Sequence, residues 1–382
     1  MSRQKPSSRF RFVGAASLTV LLALLVPALR GGDRRLYLLA AGVTGAMLLC
    51  MIIPARLFSL DRPILSFALY LGAVGIFSLA SADPDAALIQ LLRCSVGVVA
   101  LIIGAMMIRI VTASMLTAGI SSFLGLLLIA GGLLVRDAAL PFTEAALVLL
   151  VIAFASLLSC HGGVTALFPS LAGTALLLLR GMTNEAAVLA LAVLFLLWSA
   201  DGRAVVSIVA LIAFAVLFFG AWRLGYLPAF MPAEEHAASL SALADAGLFG
   251  TDGAAALPED PALPGSSLLY GIASHFGLVM TGLTLLLYLP LVLRGASVAG
   301  TARTRFHAVL AMGCTLIFAL RVPAGLLPAF GVLPLPLSPL PLLTSSLPDL
   351  SAQMLTLGLL CGISSVNEAD LAEDAHLAML AK

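Results

Sequence analysis

Apolar runs of about 20 residues, the length a helix needs to cross a bilayer core, recur along this chain between short polar joints. The first, Val13 to Leu29, follows a basic start, MSRQKPSSRFRF, and a second begins at Leu36. Beyond Arg56 come Pro63 to Ser81, Ala87 to Ile110, Met115 to Leu134, Phe142 to Cys160, Gly163 to Leu179, Asn184 to Ala200, Ala204 to Trp222, Ser267 to Leu293, Phe306 to Leu327 and Leu342 to Ser364. The pattern predicts an all-α fold, a polytopic transmembrane helix bundle of about twelve spans. No small-residue cleavage pattern follows the first run, so residues 1–60 read as a retained membrane anchor, with a cytoplasmic N-terminus. Residues 365–382, NEADLAEDAHLAMLAK at their end, read as a short acidic cytoplasmic tail.

One long polar joint interrupts the series. From Leu224 to Ser266 it holds Glu234, Glu235, Asp245, Asp252, Glu259 and Asp260 and no Lys or Arg, whereas Arg294, Arg303 and Arg305 follow the next run with no acid beside them. By the positive-inside rule the loop 224–266 is external and both termini are cytoplasmic. Arg30, Arg34 and Arg35, between the first two runs, oppose this bias locally.

Composition narrows the class further. The chain is 61% hydrophobic and 10% charged, with a mean hydropathy of +1.13; a soluble domain carries about a quarter charged residues. A net charge of +1 argues against a nucleic-acid partner. The five cysteines all lie in or at the ends of apolar runs, so no disulfide framework or metal set is implied. No P-loop or nucleophile elbow occurs, and no cofactor is expected.

The loop's wording resembles the SEDS family, the membrane glycosyltransferases of bacterial shape, elongation, division and sporulation. Ser239, Leu240, Ala242, Gly247, Leu248, Phe249, Gly250, Leu257, Pro258, Glu259, Gly277 and Leu278 follow the order of the family's loop before its eighth helix. PFTEA, from Pro141, is similar to the family's QPSELAK, with Leu147 in place of the lysine. GLLPAFGVLPLPLS, from Gly325, and LGLLCGIS, from Leu357, resemble its closing motifs. The resemblance covers residues 61–364 and implies ten SEDS-like spans, with two N-terminal spans added. It implies an integral membrane protein of the bacterial inner membrane acting in peptidoglycan synthesis for cell division or cell shape. A lipid-linked, lipid II-like precursor, membrane lipid and a class B penicillin-binding protein are the partners it implies.

Glycosyl transfer from an undecaprenyl-pyrophosphate carrier needs a carboxylate to take the proton of the attacking hydroxyl and a place for the pyrophosphate. The resemblance puts the family's acid at Ser266, and serine is no base unless another group activates it. Asp260, with Glu259 in reserve, is the nearest replacement. The family's aspartate ahead of the sixth helix is Met182 here, its SYGGSS is replaced by SPLPLLTSS, and Arg321 replaces an asparagine. Polar groups inside spans are costly and therefore informative. Arg93, Glu144, Arg321 and Asp349 are the candidates for holding substrate, with Arg321 and Arg93 suited to pyrophosphate and Arg321 placed to pair with Asp349. His275 and Gln353 are further polar residues in spans, His275 reading as a packing residue.

Three functions stay open on this reading: an active peptidoglycan glycosyltransferase with relocated acids, a non-catalytic SEDS pseudoenzyme regulating a penicillin-binding protein, or a transporter or flippase of lipid-linked substrates. Topology is testable first. In a cysteine-free background, an impermeant thiol reagent is expected to label Asp252→Cys in intact cells and Ser297→Cys only after the membrane is opened; the reverse pattern overturns the orientation.

Overall fold

The structure is a computed structural model that describes residues 34–58, 60–80, 84–134, 142–227, 241, 243–250, 267–330, 332 and 338–380. The run Val13 to Leu29, Glu259, Asp260 and Ser266 lie outside the described residues. The helices are α1 (Arg34–Leu57), α2 (Arg62–Ala80), α3 (Pro84–Met107), α4 (Met115–Leu134), α5 (Thr143–Cys160), α6 (Gly163–Leu179), α7 (Thr183–Ala200), α8 (Ala204–Arg223), α9 (Ser267–Leu286), α10 (Tyr288–Thr301), α11 (Arg305–Ala329) and α12 (Leu347–Leu380). Among the described residues the one extended feature is an antiparallel bridge between Leu340 and Leu343.

Nine helical stretches among the described residues are long and apolar enough to cross a membrane, and the 17-residue α6 completes the ten expected from Pro63 onward. The molecule is a multi-pass membrane helix bundle. Three boundaries differ from expectation. The run Ser267 to Leu293 becomes two helices that continue to Thr301, the run expected from Leu342 becomes helical only at Leu347, and α12 does not stop near Ser364 but runs on to Leu380. No Gly or Pro lies between Ser364 and Leu380 to end it.

The bundle is organised around α5. Leu147, Leu150, Phe154 and Leu158 on this helix are buried to 1% exposure or less. Its apolar window is 72% buried, against 22% for α4, which presents its side chains outward. Lipid tails are as apolar as leucine, so helices in a bilayer associate by close packing and polar contacts. The α3–α12 pair shows the first device. A Cβ on Gly104 would strike the Leu355 carbonyl, one on Gly358 the Leu101 carbonyl, and one on Gly362 the Ala105 carbonyl. Small residues four apart thus bring the two backbones into contact.

Polar contacts tie the opposite end, the inward one on the charge bias. Asp61 precedes α2 and accepts the Ile64 N–H at 3.4 Å, capping the helix. Its Oδ2 also accepts Arg294 Nη2 of α10 at 2.7 Å and Ser364 Oγ of α12 at 2.7 Å. One buried carboxylate therefore joins three helices. α1, which lies outside the family resemblance, packs Val43, Met47 and Met51 against Ala73, Ile76 and Phe77 of α2.

Gly358→Ala should push α3 and α12 apart and cost about 1–3 kcal/mol, the usual penalty of overpacking. Gly300→Ala, where a Cβ meets nothing within 4 Å, is the matched control. Unfolding midpoints in one detergent compare them, and equal midpoints would refute the close packing.

Candidate functional site

At the other end of the bundle, outward on the charge bias, the chain between α11 and α12 folds back into the protein. Leu340, Pro341, Leu342, Leu343 and Thr344 are all buried. Non-helical backbone at membrane depth must find hydrogen bonds inside the protein, because hydrocarbon offers none. Three side chains supply them. Tyr288 Oη of α10 donates to the Pro341 carbonyl at 2.5 Å, Gln90 Nε2 of α3 donates to the Thr344 carbonyl at 2.9 Å, and Gln353 Oε1 of α12 accepts the Leu342 N–H at 2.6 Å. Leu342 itself sits at φ 64°, a left-handed conformation that a leucine adopts at a cost.

Gln353 also connects this loop to a buried ion pair. Its Nε2 donates to Glu144 Oε1 at 3.1 Å, and the same Glu144 oxygen meets Arg321 Nη1 of α11. Both charged side chains are 5% exposed. Glu144 stands in the first turn of α5, where the unpaired N–H groups of a helix start favour a carboxylate. Arg321 Nε is buried and has no hydrogen-bond partner among the described residues. Asp349, in the first turn of α12, is held by Ser346 and lies within electrostatic reach of Arg321 and Glu185.

The expected Arg321–Asp349 pair is therefore replaced by Arg321–Glu144, because Glu144 projects from the central helix while Asp349 sits half-buried at the start of α12. Arg93 is half-buried on α3 and donates to Gln90 Oε1 at 3.4 Å, one residue pair away from the buried loop. The structure thus gathers Glu144, Arg321, Asp349 and Gln353, with Arg93 beside them. Asp260, Glu259 and Ser266 fall outside the described residues, as does the side chain of His275.

Sequence reasoning passed over Arg180 and Glu185. Arg180 lies just past α6 and donates to Thr143 Oγ1 at 3.4 Å, and Thr143 also donates to Met182 Sδ at 3.5 Å. Burial lowers the Arg180 pKa from its ordinary value, and the Glu185 carboxylate opposes that; a guanidinium stays charged regardless. The turn between α6 and α7 thereby adds a cation and an acid beside the Glu144 end of α5. The available signal was their position at adjoining helix ends in RGMTNEA. Among the described residues no three His, Cys, Asp or Glu side chains are grouped to hold a metal ion.

Chemically, the cluster offers a guanidinium with an uncommitted N–H, surrounded by acids that keep it near charge balance. Glu144→Gln should strand Arg321 as a buried cation and cost about 3–5 kcal/mol. The double change Glu144→Gln with Arg321→Gln should recover much of that loss. Thermal unfolding in detergent measures both, and a single variant as stable as the parent would show that the pair carries no weight.

No protein-family model matches the chain, and no curated protein sequence matches it. Solved structures do. A structure titled as showing the structural coordination of polymerization and crosslinking by a peptidoglycan synthase complex matches 80% of this chain and 98% of its own, with a TM-score of 0.61 at 19% identity. The rod shape determining protein RodA of Thermus thermophilus matches 80% of this chain and 97% of its own, with a TM-score of 0.57 at 20% identity. An aspartate-to-alanine variant of that RodA gives the same values. Over nearly the whole length of those proteins, this chain has the SEDS-like helical fold of RodA.

Proposed function

We propose that this protein handles lipid-linked peptidoglycan precursors at the outer face of a bacterial inner membrane, in company with a class B penicillin-binding protein. The observation that carries the reading is the RodA-like fold, matched over 80% of the chain and 97% of RodA. The cluster at the outward end supports it. In this proposal Arg93 and Arg321 supply the positive charge for the pyrophosphate, Gln90 holding Arg93 and Glu144 holding Arg321, with Asp349 within electrostatic reach of the latter. A guanidinium suits that task because it meets phosphate oxygens in two-point geometry. The domain division follows: 1–60 as an added anchor, 61–364 as the SEDS-like unit with the external loop 224–266, and 365–382 as a cytoplasmic extension.

If the protein turns over, the acceptor sugar hydroxyl attacks the anomeric carbon of the donor and the bond to pyrophosphate breaks. The proton passes to the carboxylate of Asp260 or Glu259, and the pyrophosphate leaves with the bonding electron pair. A second reading, a non-catalytic partner of the penicillin-binding protein, has its own support. Ser266 stands at the family's acid, and Leu147, at the family's lysine, is 0% exposed in the apolar core of α5.

Polymerisation of the lipid-linked disaccharide by purified protein, with and without the penicillin-binding partner, separates the two. For an active enzyme Asp260→Asn should lower the rate by about 100- to 10,000-fold, the usual loss on removing a general base, with partner binding unchanged. Inactive wild type that still binds the partner establishes the regulatory reading. Full activity in a variant lacking both Glu259 and Asp260 removes the relocated acids.

A further inference from the structure

The described tip of the external loop is locked into a break in α9. Residue Gly277 has φ 82° and ψ 171°, which splits α9 into two half-helices. The second half begins with N–H groups that have no partner in the helix. Loop carbonyls fill that need: Gly247 accepts the Leu278 N–H at 3.0 Å and Leu248 accepts the Val279 N–H at 3.2 Å. Gly247 and Gly250 turn the loop with φ of 63° and 84°. A Cβ on Gly277 would strike the Leu248 carbonyl and the Gly250 nitrogen, so the loop backbone occupies the notch itself.

This seating places the turn alongside the span. The apolar run that contains α9 starts at Ser267, so the break at Gly277, and the turn Gly247–Gly250 seated in it, lie beyond the start of that run. One face of the loop enters the core, with Leu243 and Ala246 buried. The other leaves Leu248 62% and Phe249 74% exposed, next to Leu278, Val279, Leu283 and Leu286, which the second half-helix also leaves exposed. An apolar half-helix surface in a bilayer faces lipid tails, and the loop extends that surface without interruption.

We propose that the Gly247–Gly250 turn is a membrane-seated wedge that inserts Leu248 and Phe249 into the lipid hydrocarbon beside α9. Lipid is the occupant because the wedge is continuous with a lipid-facing helix surface and is pinned by two backbone hydrogen bonds to that helix's first turn. Its consequence concerns residues 251–266, which run from this turn to the start of α9 and include Glu259 and Asp260. Both attachments of that acidic segment then lie on one span. That consequence rests on the proposed function; the insertion does not.

The test places a tryptophan at the wedge, Phe249→Trp, in a chain carrying Trp198→Phe and Trp222→Phe. The protein is reconstituted in phosphatidylcholine vesicles with or without bromine near the top of the acyl chains. Insertion predicts blue-shifted emission that loses most of its intensity in brominated vesicles and resists aqueous acrylamide. Leu283→Trp in the same background reports a lipid-facing position on α9 itself. Quenching at Leu283→Trp with red-shifted, acrylamide-sensitive emission at Phe249→Trp would falsify the wedge while leaving the fold intact. Emission at Phe249→Trp that ignores brominated lipid and shifts only when the penicillin-binding partner is added also overturns it, assigning the surface to protein. Glycosyl transfer enters none of these readouts, so its absence cannot be mistaken for failure of the wedge.

Discussion

Hydrocarbon offers no hydrogen bonds, and most of what is unusual in this bundle follows from meeting that condition away from helices. Helices satisfy their own backbone, but the described part of this chain departs from them at two places inside the bundle. At Gly277 the second half-helix would begin with bare N–H groups, and the carbonyls of Gly247 and Leu248 cover them. Between α11 and α12 the backbone from Leu340 to Thr344 goes inward, and Tyr288, Gln90 and Gln353 cover it. Each interruption is thus a point where distant segments are obliged to meet. Glycine serves the first because its backbone can take a positive φ and tolerates direct contact, and long polar side chains serve the second.

Charge obeys the same constraint. A lone ion in a low-dielectric interior is costly, and a well-bonded pair much less so. Among the described residues such a pair is found toward each end of the bundle: Arg294 with Asp61, reinforced by Ser364, and Arg321 with Glu144, reinforced by Gln353. In both, the acid stands at a helix start, where the backbone already favours negative charge. The pairs differ in access. Arg294 is about a third exposed, whereas Arg321 is almost wholly enclosed. The first is built as a clasp at the bundle's edge, and the second sits beneath the folded-in loop, where a change in its partners would be felt by α5, α11 and α12 together.

The spans were legible because a bilayer asks for one thing over a fixed length, and runs such as Phe142 to Cys160 and Ala204 to Trp222 differ from their helices by no more than a residue at either end. Glu144, Arg321 and Asp349 stood out in the sequence as polar residues in apolar runs, whereas Gln353, which the structure puts among them, had no place in that group. The pairing was not legible. Which acid meets Arg321 depends on how α5 and α12 pack, and hydrophobic pattern carries no register between helices far apart in sequence. The inward course of residues 338–346 was hidden for another reason: SPLP reads as a joint at the surface, and the leucines from Leu342 read as the start of the last span. Only the glutamines and the tyrosine that receive it decide, and none of them lies in the loop.

The position of Leu147 gives these observations a common sense. The resemblance puts a lysine there, one turn along α5 from Glu144, where it would face the carboxylate on the same helix. In this protein that position is enclosed by hydrocarbon side chains, and a charge could not be accommodated without a partner. Glu144 nonetheless remains, and a buried carboxylate needs a cation. Arg321 provides it from α11, at the position the resemblance assigns to an asparagine. The contact that balances Glu144 therefore runs between helices, tying α5 to α11, and not along α5 itself. It also places the cation next to Gln353 and the folded-in loop, so the charge of this cluster is held across three helices.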